Sequence, residues 1–399
     1  MKKLCVIVQR YGTEINGGAE DYCRIYCEQL NARFELEVVT TCALDYVDWA
    51  NYYDEGVTEV NGVRVRRFSV EKPRSEDFGQ RCEELYANRG HTLADALAWV
   101  EAQGPFCPAL VEYLKESRGS VDLFLFMTYL YYPTVFGLRA VADKSVLIPF
   151  AHDEPTIHIA VYREIFTLPR GIIYNTPEER LFVQGLFHNE RIPSVLTGIA
   201  VDIPEKSEQK PPPVDAPYIL YMGRIDVFKG CDRLFEYFDS FKKRMAKLGR
   251  HTDLKLVLTG KEFMPVPKRS DIISLGFVSE EEKYAVLGGC EVFVLPSLYE
   301  SLSIVVLDAM AYSKPVLVNG GCEVLKGHCL RSDGGLYFTD EDYFCECLLL
   351  LMDNPQLREG MGKNGRRYVM RNYRRRALLD RTSGFLERIS SETNSPQGD

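Results

Sequence analysis

Short runs of consecutive apolar, largely β-branched residues recur along this chain, separated by longer stretches with helical spacing. A first series falls at residues 4–8, 36–40, 123–127, 146–150, 171–175 and 195–198, and a second at 218–222, 254–258, 272–275, 292–295 and 315–318. Strands that are apolar throughout have no solvated face. They belong in parallel sheets covered by helices on both sides. That is the doubly wound α/β class, here in two copies. The length of 399 residues fits two such domains better than one core. A polar, proline-rich stretch at 204–217 separates the two series and reads as a semi-stiff linker, closing a first domain at residue 203. Asn61-Gly62 between valines signals a tight hairpin. The less regular segment 42–118, with Tyr46, Trp49, Tyr52 and Tyr53 and a helix expected near 92–102, reads as loops and helices inserted in the first domain. The polar tail 392–399 is expected to be disordered.

Apolar residues at 46%, charged residues at 26% and a net charge of −9 suit a soluble protein and argue against nucleic acid as a partner. The apolar run after Met1-Lys2-Lys3 is too short for a signal peptide. The longest apolar stretch, 123–138, is broken by Thr128, Pro133 and Gly137, so it reads as strand, turn and helix rather than a membrane span. Twelve cysteines without framework spacing point to reduced thiols and a cytoplasmic location; Cys23 and Cys27 lie one helical turn apart, but no second ligand pair stands at metal spacing, so no zinc site is expected.

The chemistry concentrates in the second series. After the strand at 218–222 comes Gly223-Arg224-Ile225-Asp226-Val227-Phe228-Lys229-Gly230. After the strand at 292–295 comes Pro296-Ser297-Leu298-Tyr299-Glu300-Ser301-Leu302-Ser303, and Asp308 follows eight positions after Glu300. Open α/β sheets bind ligands at the carboxyl ends of their strands. Two cations there, Arg224 and Lys229, can hold a diphosphate without a metal. A turn opening a helix offers free N–H groups to phosphate, and Glu300 and Asp308 can accept from sugar and ribose hydroxyls. Each feature alone has an ordinary reading as a solvated pair or a helix cap. Their order at strand ends favours a site.

This run resembles the retaining GT-B glycosyltransferases of family four, the glycosyl transferases group 1. Their pattern is a Gly-Arg…Lys-Gly loop, a Gly-Phe-Val turn, here Gly276-Phe277-Val278, and Pro-Ser…Glu followed after seven residues by an acid. The match is specific over 218–318 and looser before it. The resemblance implies two Rossmann-like domains facing a cleft: an acceptor-side domain at 1–203, a nucleotide-sugar domain at 218–372, and a last helix at 373–391 returning to the first domain. It implies hexose transfer from a UDP- or GDP-sugar to a sugar, lipid-linked or small-molecule hydroxyl with retention, in glycan, polysaccharide or glycolipid synthesis. Gly223 opens the loop from which Arg224 and Lys229 grip the diphosphate, and backbone near Val278 meets the base. Glu300 contacts the sugar, Ser301, Leu302 and Ser303 supply backbone donors, and Asp308 takes the ribose. In the first domain, Gly17 and Gly18 match the family's glycine loop near the donor phosphate, and His152 its histidine near the donor sugar. No metal or cofactor is expected.

Two residues depart from the pattern: Asp308 where a longer Glu is usual, and Ser303 where Gly is usual. A His152–Asp153–His158 metal site and an Asp340-Glu341-Asp342 manganese motif are both set aside, the latter in favour of a helix cap at 340 or 339. The basic run Arg366, Arg367, Arg371, Arg374, Arg375 and Arg376 suits a solvated helix and leaves open a peripheral contact with anionic lipid at the inner membrane face. Two alternatives to transfer are a nucleotide-sugar 2-epimerase of the same fold, for which no acid–base set is found, and a silent nucleotide-sugar-binding subunit. The oligomeric state carries no signal.

Overall fold

A computed structural model describes residues 1–15, 17–88, 90–201 and 211–393. The chain forms two compact units, Met1–Ile199 with the segment from Arg376, and Ala200–Arg375. Of the expected linker 204–217, residues 204–210 lie outside the described residues, as does 394–399 of the expected tail. Residues 392 and 393 end the last helix, Arg375–Thr393, rather than a tail.

The first unit is built on eight strands: β1 Lys3–Ile7, β2 Glu35–Thr41, β3 Gly56–Val60, β4 Val63–Phe68, β5 Leu123–Met127, β6 Ser145–Ile148, β7 Gly171–Tyr174 and β8 Ser194–Leu196. Their order is β3-β4-β2-β1-β5-β6-β7-β8, parallel except for the β3–β4 hairpin. Asn61 and Gly62 both take positive φ, 49° and 78°, the backbone a two-residue hairpin turn requires. β4 then pairs directly with β2. The segment expected as an insertion therefore supplies the sheet edge as well as helices. One of those helices, Leu93–Gln103, starts on a reciprocal cap between Thr92 and Asp95. β5 is Leu-Phe-Leu-Phe-Met with every residue buried, as a central strand covered on both faces must be. Helix Arg375–Thr393 packs within this unit: Arg33 pairs with Asp380 at 2.6 Å, and the Tyr26 hydroxyl donates to Thr382 at 3.2 Å.

The second unit holds β9 Tyr218–Met222, β10 Lys255–Thr259, β11 Ile272–Ser274, β12 Val292–Leu295, β13 Val316–Asn319 and β14 Gly335–Phe338, all parallel, in the order β11-β10-β9-β12-β13-β14. Numbered within the unit this is 3-2-1-4-5-6, the dinucleotide-fold order. Helix Cys231–Lys247 buries Leu234, Phe235, Phe238, Phe241 and Met245 on one stripe. Truncating the fully buried Phe238 would cost about 3–5 kcal/mol. β14 escaped the sequence reading because it is a short edge strand whose burial is mostly partial. Twin doubly wound units of this kind are the GT-B architecture. Among the described residues no helix is long and apolar enough to cross a membrane.

Candidate functional site

In the second sheet the strand order reverses between β9 and β12, and the loops leaving those strands carry most of the expected site residues. The buried Tyr221 donates its hydroxyl to the Arg224 carbonyl at 2.5 Å. Asp226 shapes the rest of the loop: its Oδ1 accepts from the Lys229 amide at 2.7 Å, and its Oδ2 lies 3.2 Å from Arg224 Nε. Gly230 has φ 75°, and a Cβ there would stand 2.9 Å from the Pro296 carbonyl oxygen. The two loops can lie this close only because the residue is glycine. They are joined by Lys229 Nζ and Glu300 Oε1 at 2.7 Å.

Ser303 precedes helix Ile304–Ala311 with φ 62° and ψ 78°, a left-handed backbone that costs a side-chain-bearing residue about 1 kcal/mol. The neighbouring Leu302 is pinned: its carbonyl accepts from His328 Nε2 at 2.8 Å, while His328 Nδ1 lies 3.1 Å from the Tyr368 hydroxyl. A carbonyl can only accept, so Nε2 carries the proton and Nδ1 accepts from Tyr368. Burial pushes the His328 pKa down to about 4, which keeps the ring neutral. The Ser303 hydroxyl is itself buried and, among the described residues, without a hydrogen-bond partner. What the turn 301–303 can present is its backbone N–H groups at a helix start.

Asp308, 5% exposed, is not a free carboxylate, because Lys283 Nζ lies 2.8 Å from its Oδ2. Burial alone would lower the Lys283 ammonium, but Asp308 outweighs it and holds the pKa above the ordinary range. Lys283 comes from helix Glu280–Gly289, which starts just after the turn containing Phe277 and Val278. Gly276 ties that turn to the loop after β10, its carbonyl accepting from the Gly260 amide at 2.8 Å.

In the first unit, Gly17 and Gly18 open helix Gly18–Leu30. A Cβ on Gly17 would stand 2.3 Å from Glu20 Oε2, whereas one on Gly18 would meet nothing, and nothing in the structure explains that second glycine. Glu20 folds under the loop to accept from Gln9 at 2.8 Å and from Arg10 Nε at 3.1 Å, all three side chains being buried. His152, after β6, has Nε2 3.4 Å from Glu154 Oε2. The Tyr129 hydroxyl donates to Glu154 Oε1 at 2.5 Å. Burial raises the Glu154 carboxyl, but His152 and Tyr129 together bring it below its usual value. Beneath this loop Glu179 is wholly buried. Its two oxygens accept from the amides of Ala151 at 2.7 Å and Asn175 at 2.6 Å, and burial pushes its pKa up to about 7.

The expected residues thus form two sets. Gly17, Gly18 and His152 belong to the first unit; Gly223, Arg224, Lys229, Val278, Glu300, Ser301, Leu302, Ser303 and Asp308 belong to the second. Asp226, Lys283, His328, Arg10 and Glu179 are not among the residues expected from sequence. Asp226 lies inside the loop 223–230, and Glu179 follows a Thr-Pro helix start. Lys283 and His328 carry no local signal. Asp340 caps helix Glu341–Asp353 by accepting from the Tyr343 amide at 3.0 Å. His158 pairs with Asp153 at 3.0 Å, and among the described residues no cluster of His, Cys, Asp or Glu is placed to hold a metal. Arg366 caps the Ala311 carbonyl, so the basic run is structural at that point.

Residues 202–368 match the family described as glycosyl transferases group 1. The chain is 29% identical over 191 residues to the alpha-D-kanosaminyltransferase of Streptomyces kanamyceticus, covering 44% of this chain and 46% of that protein. It is 27% identical over 158 residues to the MMP alpha-(1->4)-mannosyltransferase of Mycolicibacterium hassiacum, covering 36% and 38%. These matches span half or less of the curated relatives' length. Among solved structures, sucrose-phosphate synthase from Thermosynechococcus elongatus superposes with a TM-score of 0.70 at 18% identity, over 98% of this chain and 100% of that one. HepE of Anabaena in complex with UDP-glucose gives 0.68 at 13% identity, over 98% and 100%. At such identities the likeness is one of fold.

Proposed function

We propose that this chain is a group 1 glycosyltransferase that moves a hexose from a UDP- or GDP-sugar to a hydroxyl acceptor with retention of configuration. The observation that carries the reading is the Lys229–Glu300 pair at the switch point of the second sheet, with Arg224 held by Asp226 beside it. Two cations stand where an open α/β sheet takes its ligand, each kept in place by an acid until a diphosphate arrives. The names of the matched transferases and the UDP-glucose in HepE support a nucleotide-sugar donor.

In this mechanism Lys229 turns from Glu300 to the diphosphate, and Glu300 is freed for sugar hydroxyls. The bond from the anomeric carbon to the phosphate oxygen breaks with its electrons going to phosphate. Arg224, Lys229 and the N–H groups of 301–303 stabilise that charge. The acceptor hydroxyl attacks from the same face and gives its proton to the departing phosphate oxygen. His152, steadied by Glu154, is the first unit's candidate for a hydrogen bond to the sugar. The exposed arginines 367, 371, 374 and 376 are the candidates for contact with anionic lipid.

Unfolding curves of EDTA-treated protein with UDP, GDP and their hexose conjugates test the reading. A nucleotide held at a hundred times its Kd should raise stability by about 2.7 kcal/mol. Transfer of label from the donor that binds should continue in EDTA, because the cations belong to the chain. No shift with any nucleotide sugar, or activity that returns only with added metal, would sink the assignment.

A further inference from the structure

The basic side chains at the strand ends of the first unit are not alike. Arg10 is neutralised by Glu20 and Arg66 by Glu37. Arg67, buried, donates to the Tyr11 carbonyl and the Thr58 hydroxyl. Arg74 differs. Its Nε makes one long bond, 3.3 Å, to the Gln103 carbonyl, and its backbone amide donates to the Asp48 carbonyl at 3.2 Å. Among the described residues its terminal nitrogens make no hydrogen bond, and no carboxylate lies within ion-pair distance.

The guanidinium instead rests on aromatic rings, 5.4 Å from the centre of Trp49 and 5.1 Å from that of Phe78. Trp49 is locked beneath it. Its indole N–H donates to the Gln103 carbonyl at 2.6 Å, and Tyr131 meets it edge-on at 5.3 Å. Trp49, Ala43 and Val70 form a small core of their own, flanked by Tyr46 and Tyr131. The platform has a backbone cost, since Trp49 sits at φ 63°, a genuine outlier for so bulky a residue. Strain of this kind persists where the surroundings hold a functional geometry. Loops leaving four neighbouring strands build the place: Arg74 follows β4, Tyr46 and Trp49 follow β2, Arg10 follows β1 and Tyr131 follows β5. β1 and β5 are where the order of this sheet reverses.

We propose that Arg74 is the anchor of an anion-binding subsite in the first unit, taking a phosphate or carboxylate group carried by the acceptor. A half-buried cation without a counter-ion is unfavourable unless something else stabilises it. The ring faces supply part of that by cation–π attraction and leave its terminal nitrogens available for two parallel bonds to an oxyanion. Burial depresses the Arg74 pKa, and Tyr131, Cys82, Tyr46 and Asp45 oppose this without cancelling it. An arriving anion would complete the charge. The word acceptor rests on the transfer reading; the anion site itself stands on this unit alone.

The chain has two tryptophans. Trp49 touches Arg74, and Trp99 packs at 5.2 Å on Phe78, so intrinsic fluorescence of the whole protein reads this place directly. Titration with inorganic phosphate and with glucose 6-phosphate should change the emission saturably, and glucose at the same concentrations should not. Arg74→Gln should weaken both anions roughly ten- to a hundredfold. Arg74→Lys, which keeps the charge without the fork, should fall between and decides the matter if the glutamine variant does not fold. Response to glucuronate but not to phosphate fixes the anion as a carboxylate. Wild-type affinity in the folded variants, or no response to any of the three anions, overturns the proposal. Failure of every nucleotide sugar to stabilise the protein strikes the donor reading and leaves the fluorescence result standing.

Discussion

The two sheets share the order 3-2-1-4-5-6 at their centres, yet their strand ends are assembled differently. In the second unit two short loops, 223–230 and 296–303, bring in nearly every candidate residue, and acids hold the cations: Lys229 on Glu300, Arg224 on Asp226, Lys283 on Asp308. In the first unit the comparable strand ends draw on separate stretches, Arg10, Trp49, Arg74, Tyr131 and His152, and among the described residues Arg74 has no carboxylate within ion-pair distance. On the proposed reading, a site for the constant diphosphate of the donor can be written as a local loop. A site for a particular acceptor, as proposed for the first unit, would be composed from whatever the surrounding loops bring together.

The contrast breaks most visibly at Lys229. In the proposed transfer, charge on the diphosphate grows as the glycosidic bond opens, so this cation would gain more in the transition state than in the ground state. Lys229→Ala should lower kcat by about 10²–10³ with a smaller change in donor KM. Lys229→Arg should recover little, because a guanidinium does not reproduce a compact ammonium. A folded alanine variant with near wild-type kcat would leave the second unit's loops without their assigned role.

The units should also answer pH in opposite senses. Burial raises the Glu179 carboxyl in the first unit to about 7 from its ordinary 4.5. The folded state therefore holds its proton more tightly. That stability is fully present below pH 4.5 and is lost as pH rises through about 7, on the order of 3 kcal/mol in all. His328 in the second unit is lowered to about 4 from 6.5. Its contribution is fully present above pH 6.5 and is lost as pH falls toward 4, again about 3 kcal/mol. Denaturant melts across pH 4–8 should show Glu179→Gln flattening the loss toward neutral pH and His328→Gln flattening the loss toward acid, each over a constant offset. Unaltered slopes would remove these two groups from the pH response.

A smaller effect sharpens the comparison at Asp308. If it reads the ribose, Asp308→Ala should weaken a free nucleoside diphosphate by about 1.5–3 kcal/mol in calorimetry. Unchanged affinity in a folded variant would make the Lys283 pair purely structural. The smallest concerns Ser303. Glycine relieves the left-handed strain, so Ser303→Gly should raise stability by roughly 1 kcal/mol or less. A drop in melting temperature would mean that Ser303 packs better than its backbone suggests.

Twin parallel sheets, the hairpin at Asn61-Gly62 and the loops bearing Arg224, Lys229 and Glu300 were legible in the sequence. All are written over a few consecutive residues, where apolar runs, glycine turns and charges at strand ends carry their own physical meaning. Other features became visible only in three dimensions. β4 closes on β2 although the intervening sequence looks like an insertion. Lys283 neutralises Asp308 from a different helix. His328 reaches back to hold Leu302, and Arg74 lies on Trp49 with no carboxylate at ion-pair distance among the described residues. In each case the partners are brought together by the packing of separate elements, and whether a buried charge is paired, and by what, depends on that packing rather than on its neighbours along the chain.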